Sequence, residues 1–212
     1  MHPKTPKDQL LDILIEIPGV SEHLDCLLYQ SYNVEDRTSL LQNTKAKCWI
    51  LHDQLQEWMA FSGASTIAFV EAIIAACETN EFSAPSSEDF AKAHLRMVYW
   101  TTCLLLYQTM CCLKADNALD TVKSIDPRRF CRKIAILIRF FQNDHVGACF
   151  VNFVAFSAVV LVRYLAREDV EGQRSVERRL FLRTFEGTRS RRFLRLFGEM
   201  ALEGGGSETN LP

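Results

Sequence analysis

The sequence predicts an all-α fold: a single-domain helical bundle with a central apolar helical hairpin. Apolar residues recur at helical intervals from end to end, whereas the alternation typical of β-strands is scarce. Of the 212 residues, 48% are hydrophobic and 24% are charged, which is enough apolar material for one substantial core. We therefore expect one helical domain over residues 1–203, followed by a flexible tail over residues 204–212 that opens with three glycines.

Three helices are predicted in the first third of the chain. Apolar spacing begins a helix near Leu10, and Pro18-Gly19 predicts its end. A second helix is expected over residues 21–31 and a third over residues 38–62. The apolar stripe of the third helix consists of Leu41, Cys48, Leu51, Leu55 and Trp58.

The remaining helices include the two most apolar segments. After an apolar stretch over residues 66–77, Ser86 and Asp89 have the form of a capping box, which predicts a long helix to about Leu113. Asp126-Pro127 predicts the start of the next helix, and an apolar helix is expected over residues 146–165. The long helix and this apolar helix must each bury nearly their whole circumference, which predicts that they form the central hairpin.

Residues 146–162 also have to be considered as a membrane span. This stretch has 17 residues and no charge, which is the short edge of the roughly 17–25 residues that cross a bilayer. Asn152 and Ser157 interrupt it, and the centre of a helical domain also requires a helix that is apolar on all sides. We expect a buried core helix and no membrane association.

Charge and cysteine usage indicate an intracellular protein. The formal net charge is −2, so no global excess of positive charge would draw the chain to nucleic acid or anionic lipid. The eight cysteines show no disulfide framework spacing, and the first residues lack an apolar leader segment. We expect reduced thiols and a nuclear or cytoplasmic location.

Two early segments carry a family resemblance. Glu16-Ile17-Pro18-Gly19-Val20, followed by the run from Cys48 to Trp58 with its two tryptophans, resembles the regulatory region of fungal-specific zinc-cluster transcription factors. The Tyr99-Trp100 pair with its following aliphatics, and the cysteine-bearing helix around Cys131, resemble later helices of that region in the same order. The resemblance implies a helical regulatory domain that takes part in transcription regulation.

The zinc cluster of that family has no counterpart in this chain. Tetrahedral zinc sites need several thiolates that converge on the metal. The most closely spaced cysteines are Cys103, Cys111 and Cys112, and their spacings of eight and one cannot provide the paired ligands. We expect no metal, no cofactor and no sequence-specific DNA binding by the chain itself.

Catalytic signatures are also missing from the sequence. It contains no Gly-x-Ser-x-Gly elbow, no His-Glu-x-x-His helix and no phosphate-binding glycine-rich loop. Cys111-Cys112 could be a redox pair, but adjacent residues point to different sides of a helix. We therefore assign no catalytic residue and expect a protein that is not an enzyme.

Two groups of residues remain as candidate binding surfaces. Aromatic clusters can line an apolar ligand pocket, although they more often fill a core; the candidate pocket consists of Tyr99, Trp100, Tyr107, Gln108, Asn152 and Phe156. Clustered arginines can bind an acidic partner, although they also form ordinary solvated helix faces; the candidate acidic-partner surface consists of Arg189, Arg191, Arg192 and Arg195.

The leading functional hypothesis is a non-enzymatic, transcription-regulator-like module that acts through protein contacts. Full-length zinc-cluster regulators are candidate partners, and a small apolar molecule is a candidate ligand. The alternative is a small-molecule-binding protein or enzyme recruited to fungal secondary-metabolite biosynthesis.

Overall fold

The computed structural model describes residues 4–79, 85–113, 126–142, 146, 150–168 and 176–185. Over these ranges the chain forms eight α-helices, one short 3₁₀ helix and no β-strand, which confirms the all-α class. The helices are α1 Pro6–Leu14, α2 Ile17–Tyr29, α3 Val34–Phe61, α4 Ile67–Thr79, α5 Ser87–Cys112, α6 Arg128–Phe141, α7 Phe150–Glu168 and α8 Val176–Thr184. The 3₁₀ helix is Ala64–Thr66.

Side-chain caps position several helix starts. Asp89 donates its backbone N–H to Ser86 Oγ at 3.2 Å, and Ser86 donates its N–H to Asp89 Oδ2 at 2.8 Å, so the predicted capping box is present at the start of α5. Helix α3 begins at Val34, about four residues before the predicted start. It does so because Asn33 Oδ1 accepts the N–H of Asp36 at 2.8 Å and satisfies one of the free donors of the first turn.

The prediction that Pro18-Gly19 ends a helix is wrong. Helix α1 already ends at Leu14, and Pro18 lies in the first turn of α2. Proline is favourable there because the first turn needs no N–H from that residue and already requires its backbone angle. The Ile17-Pro18-Gly19 segment therefore begins a helix.

Contacts divide the chain into two compact units. The first consists of the described residues of Met1–Val70 and Val98–Phe130. Its core contains most of the predicted α3 stripe, since Cys48, Leu51, Leu55 and Trp58 are buried, whereas Leu41 is half-buried. The Trp58 ring stacks on Tyr99 with centroids 5.3 Å apart.

The second unit consists of the described residues of Glu71–Met97 and Cys131–Pro212. Phe141 of α6 stacks on Phe153 of α7 at 5.3 Å, and the His94 ring meets Phe153 edge-on at the same distance. Arg132 holds the buried carboxylate of Glu177 through Nε at 2.7 Å and Nη2 at 2.6 Å. This ion pair joins α6 to α8.

Helix α7 has one buried and one exposed face. Its segment Phe150–Arg167 has 18 residues and a mean hydropathy of 1.5, so by length and composition it could cross a membrane. In the folded protein, 39% of this segment is buried. The core helix of a soluble protein meets the same criteria. Val154 is buried while Val151 and Phe156 are exposed.

Three sequence predictions about architecture remain predictions. They are the single domain over residues 1–203, the central hairpin and the flexible tail. The tail, residues 204–212, lies outside the described residues. Residues 147–149, which belong to the predicted apolar helix, also lie outside them, and α7 is described from Phe150.

Candidate functional site

An open groove of about 580 Å³ lies on the first unit between α3 and the N-terminal helices. One wall belongs to α1 and the start of α2, and the other belongs to α3 and its C-cap residue. The lining residues are Gln9, Asp12, Ile13, Glu16, Lys47, Gln54, Glu57, Trp58, Phe61 and Ser62.

Three side-chain contacts hold the walls of this groove together. Trp58 Nε1–H donates to the carbonyl oxygen of Pro6 at 2.7 Å, and Ser62 Oγ donates to Gln9 Oε1 at 2.8 Å. Lys47 Nζ lies 2.7 Å from Glu16 Oε2. These contacts fix α1 and the start of α2 against α3, so the groove is formed before any partner arrives.

The groove combines a buried apolar floor with an exposed aromatic rim. Ile13 and Trp58 are 7% and 4% exposed, whereas Phe61 is 85% exposed. Phe61 follows Glu57 by four residues on α3, and this spacing places both side chains on the same face of the helix. Seven of the ten lining residues are polar or charged, so Phe61 is the exposed apolar side chain of the groove.

The charges along the groove are mostly negative. Asp12, Glu16 and Glu57 contribute three carboxylates, and Lys47 contributes one ammonium group. Lys4 pairs with Asp12 at 2.6 Å, and Lys47 pairs with Glu16. Glu57 is exposed and makes no ion pair with any part of the chain that the structure describes.

A second polar feature of the first unit is the cluster of buried Tyr107, half-buried His52 and exposed Gln56. His52 Nδ1 lies 3.0 Å from Tyr107 Oη, and Gln56 Nε2 donates to the same oxygen at 3.3 Å. The Tyr107 ring also packs against Phe130 with centroids 5.6 Å apart. The hydroxyl of Tyr107 is thus engaged by two side chains.

Burial favours the neutral form of both ionisable members of this cluster. Desolvation lowers the pKa of His52, and the nearby carboxylate of Asp53 opposes this shift only in part. Desolvation also raises the pKa of Tyr107, with a further contribution from Cys103. The cluster therefore has the properties of an internal polar contact between α3 and α5.

The structure places the residues of the predicted aromatic pocket in both units. Tyr99, Trp100 and Tyr107 are buried in the first unit, where Gln108 is half-buried. Asn152 and Phe156 are exposed on α7 in the second unit. Because Trp58 and Phe130 cover the rings of Tyr99 and Tyr107, the contacts of these two residues are those of a packed core. The pocket itself stays a prediction.

The predicted acidic-partner surface lies outside the described residues, because it consists of Arg189, Arg191, Arg192 and Arg195. That surface also stays a prediction. Among the side chains that the structure describes, no group of three or more His, Cys, Asp or Glu residues could hold a metal ion.

Comparison with known proteins adds no relative to this picture. No family model, curated protein or solved structure matches the chain. The groove is therefore the main structural basis for a functional proposal.

Sequence reasoning did not single out the groove. The four-residue spacing of Glu57 and Phe61 can be read from the sequence, and it places an acidic and an aromatic side chain together near the end of a helix. The opposite wall could not be found in this way, because Gln9 and Asp12 lie more than 40 residues earlier in the chain.

Proposed function

We propose that this chain is a non-enzymatic regulatory module of the kind found in fungal zinc-cluster transcription factors, and that it acts through protein contacts in the nucleus or cytoplasm. The observation that carries the proposal is the preformed α1–α3 groove with the exposed Phe61 at its rim. The resemblance of the Ile17-Pro18-Gly19 segment and of the tryptophan-containing α3 to the family's regulatory region supports the regulatory role.

The energetics of the groove favour a macromolecular partner. Covering a fully exposed phenylalanine contributes about 1.5–3 kcal/mol, and aromatic side chains of this type are the usual centres of binding energy in protein interfaces. The contacts from Trp58 to Pro6 and from Ser62 to Gln9 already hold the walls in place. Little further ordering is therefore needed when a partner binds.

The alternative is a recruited ligand-binding or catalytic role, and it would draw on the aromatic residues of the first unit. Among these residues, Tyr107 has a hydroxyl group that could take part in a reaction. His52 and Gln56 already form hydrogen bonds with that hydroxyl group. This arrangement favours a packing role for Tyr107 and supports the choice of a regulatory module.

The test compares gene expression in the source organism across four strains. These carry the wild-type chain, a deletion, Phe61→Ser, and the control Tyr29→Ser, which removes an aromatic side chain that is 77% exposed outside the groove lining. Transcripts are sequenced, metabolites are profiled, and protein levels are matched by immunoblotting.

We expect the deletion and Phe61→Ser to change the same set of transcripts, and Tyr29→Ser to leave them unchanged. Normal transcripts both on deletion and on overexpression would overturn the proposal. Loss of one metabolite while all transcripts stay normal would also overturn it, in favour of the recruited chemical role.

A further inference from the structure

We infer that Cys111 and Cys112, adjacent residues in the last turn of α5, form a thiol pair that binds one copper(I) ion through both sulfur atoms. The pair belongs to the first unit, and neither residue lines the α1–α3 groove. The inference goes beyond the proposed function, because a role in protein contacts does not require a site for a soft metal ion.

Exposure distinguishes these two thiols from the other cysteines in the part of the chain that the structure describes. Cys111 and Cys112 are both exposed. The others are buried or half-buried, and they are Cys26, Cys48, Cys103 and Cys131. Because an incoming ion has to reach its ligands, the end of α5 is where the described thiols can bind one together.

Buried neighbours hold the end of α5 in place. Met110 and Leu113, on either side of the pair, are 5% and 6% exposed. The N–H of Leu113 donates to the carbonyl oxygen of Thr109 at 3.1 Å, and the helix continues through both cysteines. The two thiols therefore extend from a fixed stretch of backbone, so little ordering is needed when an ion binds.

The adjacency of the two residues favours a bridging ion over a disulfide. Consecutive Cα atoms are about 3.8 Å apart, which is shorter than the roughly 4.4–6.8 Å that disulfides usually span. An ion between the sulfur atoms removes this restraint, because two metal–sulfur bonds of about 2.3 Å let the sulfur atoms stay up to about 4.6 Å apart. A disulfide within this helical turn would be strained, whereas a bridging ion requires no contact between the sulfur atoms.

The number and softness of the ligands select copper(I). The expectation of no metal was based on zinc, which needs several converging thiolates. Among the described residues, no group of three or more His, Cys, Asp or Glu side chains could hold a metal ion. Copper(I) accepts a linear arrangement of two ligands, and soft thiolates select it over harder ions.

The binding step involves no change of oxidation state. Each of the two thiols loses its proton and forms one sulfur–copper bond. Two neutral thiols and Cu⁺ therefore give an anionic dithiolate complex of copper(I) and two protons. Because protons are released, binding should weaken as the pH falls.

The experiment measures the transfer of copper(I) to the full, reduced chain from its coloured complex with the chelator bicinchoninate, in the absence of oxygen. The variants are Cys111→Ser and Cys112→Ser, and the control is Cys26→Ser at a half-buried position on α2. The same titration is carried out with zinc(II) and a zinc-sensitive dye. Circular dichroism verifies that each variant is folded.

We expect the wild-type chain to remove one equivalent of copper(I) from the chelator. Each single variant should weaken this binding at least about tenfold, because one thiolate replaces only half of the coordination. Cys26→Ser should bind copper(I) like the wild type. Zinc(II) should bind more weakly than copper(I), since the pair provides only two of the four ligands that zinc prefers.

Three outcomes would overturn the inference. They are no transfer of copper(I) from the chelator, unchanged binding in either Cys111→Ser or Cys112→Ser, and an equal loss of binding in Cys26→Ser. The transcripts of the Phe61→Ser strain test the proposed function independently of all three.

Discussion

Nδ1 of His52 lies 3.0 Å from the hydroxyl oxygen of Tyr107 and joins α3 to α5 within the first unit. Because Gln56 donates to the same oxygen, the hydroxyl proton of Tyr107 can point to Nδ1 of a neutral imidazole whose own proton is on Nε2. Protonation of His52 would place a second donor at Nδ1 and add a partly buried charge. Burial disfavours that charged form, so the arrangement with a neutral imidazole is the one that contributes to stability.

The first prediction is a pH-dependent contribution of His52 to stability. Burial lowers the pKa of His52 below its ordinary value of 6.5, so the unfolded chain takes up a proton at higher pH than the folded chain does. The contribution is therefore present above about pH 6.5 and is lost as the pH falls towards the folded-state pKa. Urea denaturation between about pH 5 and 8 measures it for the wild type and for His52→Gln.

We expect the difference in unfolding free energy between these two proteins to shrink as the pH is lowered. His23→Gln, at an exposed position on α2, is the control and should show a smaller pH-dependent change. A difference between wild type and His52→Gln that stays constant over this pH range would contradict the role given to His52.

The second prediction concerns two glycines in opposite environments. A Cβ atom at Gly63 would lie 2.7 Å from Cζ3 of the buried Trp58 ring and 2.6 Å from Cε of Met59, whereas a Cβ at Gly19 meets nothing within 4 Å. The methionine can move aside, but the indole is held by its hydrogen bond to Pro6. We expect Gly63→Ala to lower the unfolding free energy by about 1–3 kcal/mol.

Gly19→Ala should instead raise the unfolding free energy by about 0.4–1 kcal/mol, because alanine restricts the unfolded chain at an open position inside α2. Chemical denaturation of both variants checks the pair. Equal effects of the two substitutions would show that the close approach of Gly63 to Trp58 is incorrect.

The third prediction concerns the reactivity of two thiols. Cys48 is 1% exposed, and burial raises its pKa to about 11, whereas Cys112 is exposed at the end of α5. The thiolate is the form that reacts with alkylating reagents. We expect iodoacetamide at pH 8 to modify Cys112 in the folded protein and Cys48 only after unfolding, as measured by peptide mass spectrometry.

The raised pKa of Cys48 also predicts a loss of stability at high pH. The unfolded thiol ionises near its ordinary value of 9.0, while the folded thiol stays protonated to about 11. The contribution of Cys48 is therefore complete below pH 9 and falls between about pH 9 and 11. Cys48→Ala should remove this part of the pH dependence, and rapid labelling of Cys48 in the folded protein would contradict its burial.

The fourth prediction separates the two faces of α7. Val154 is 0% exposed and Val151 is 40% exposed. An unpaired charge at the buried position is strongly unfavourable, so Val154→Asp should lower the unfolding free energy by at least about 2 kcal/mol, and Val151→Asp should change it little. Circular dichroism during urea denaturation measures both, and a Val154→Asp variant as stable as Val151→Asp would contradict the packing of this helix.

Much of the helical structure could be predicted from local sequence. The Ser86/Asp89 capping box marks the start of α5, and the spacing of Leu51, Leu55 and Trp58 identifies the buried face of α3. These features depend on residues three or four apart, which lie on one helix face whatever the rest of the chain does. Pro18 was misinterpreted because proline both ends helices and begins them, and only the neighbouring turn distinguishes the two cases.

The sequence by itself determined the all-α class, most helix positions and the apolar face of α3. Only the tertiary structure decided that α1 covers one side of α3 and leaves Glu57 and Phe61 exposed beside a groove. That arrangement depends on the contacts of Trp58 with Pro6 and of Ser62 with Gln9, which join residues 52 and 53 positions apart. Helical periodicity specifies which face of a helix is apolar. Which element covers that face depends on packing contacts between residues far apart in the chain, and these cannot be read from a local pattern.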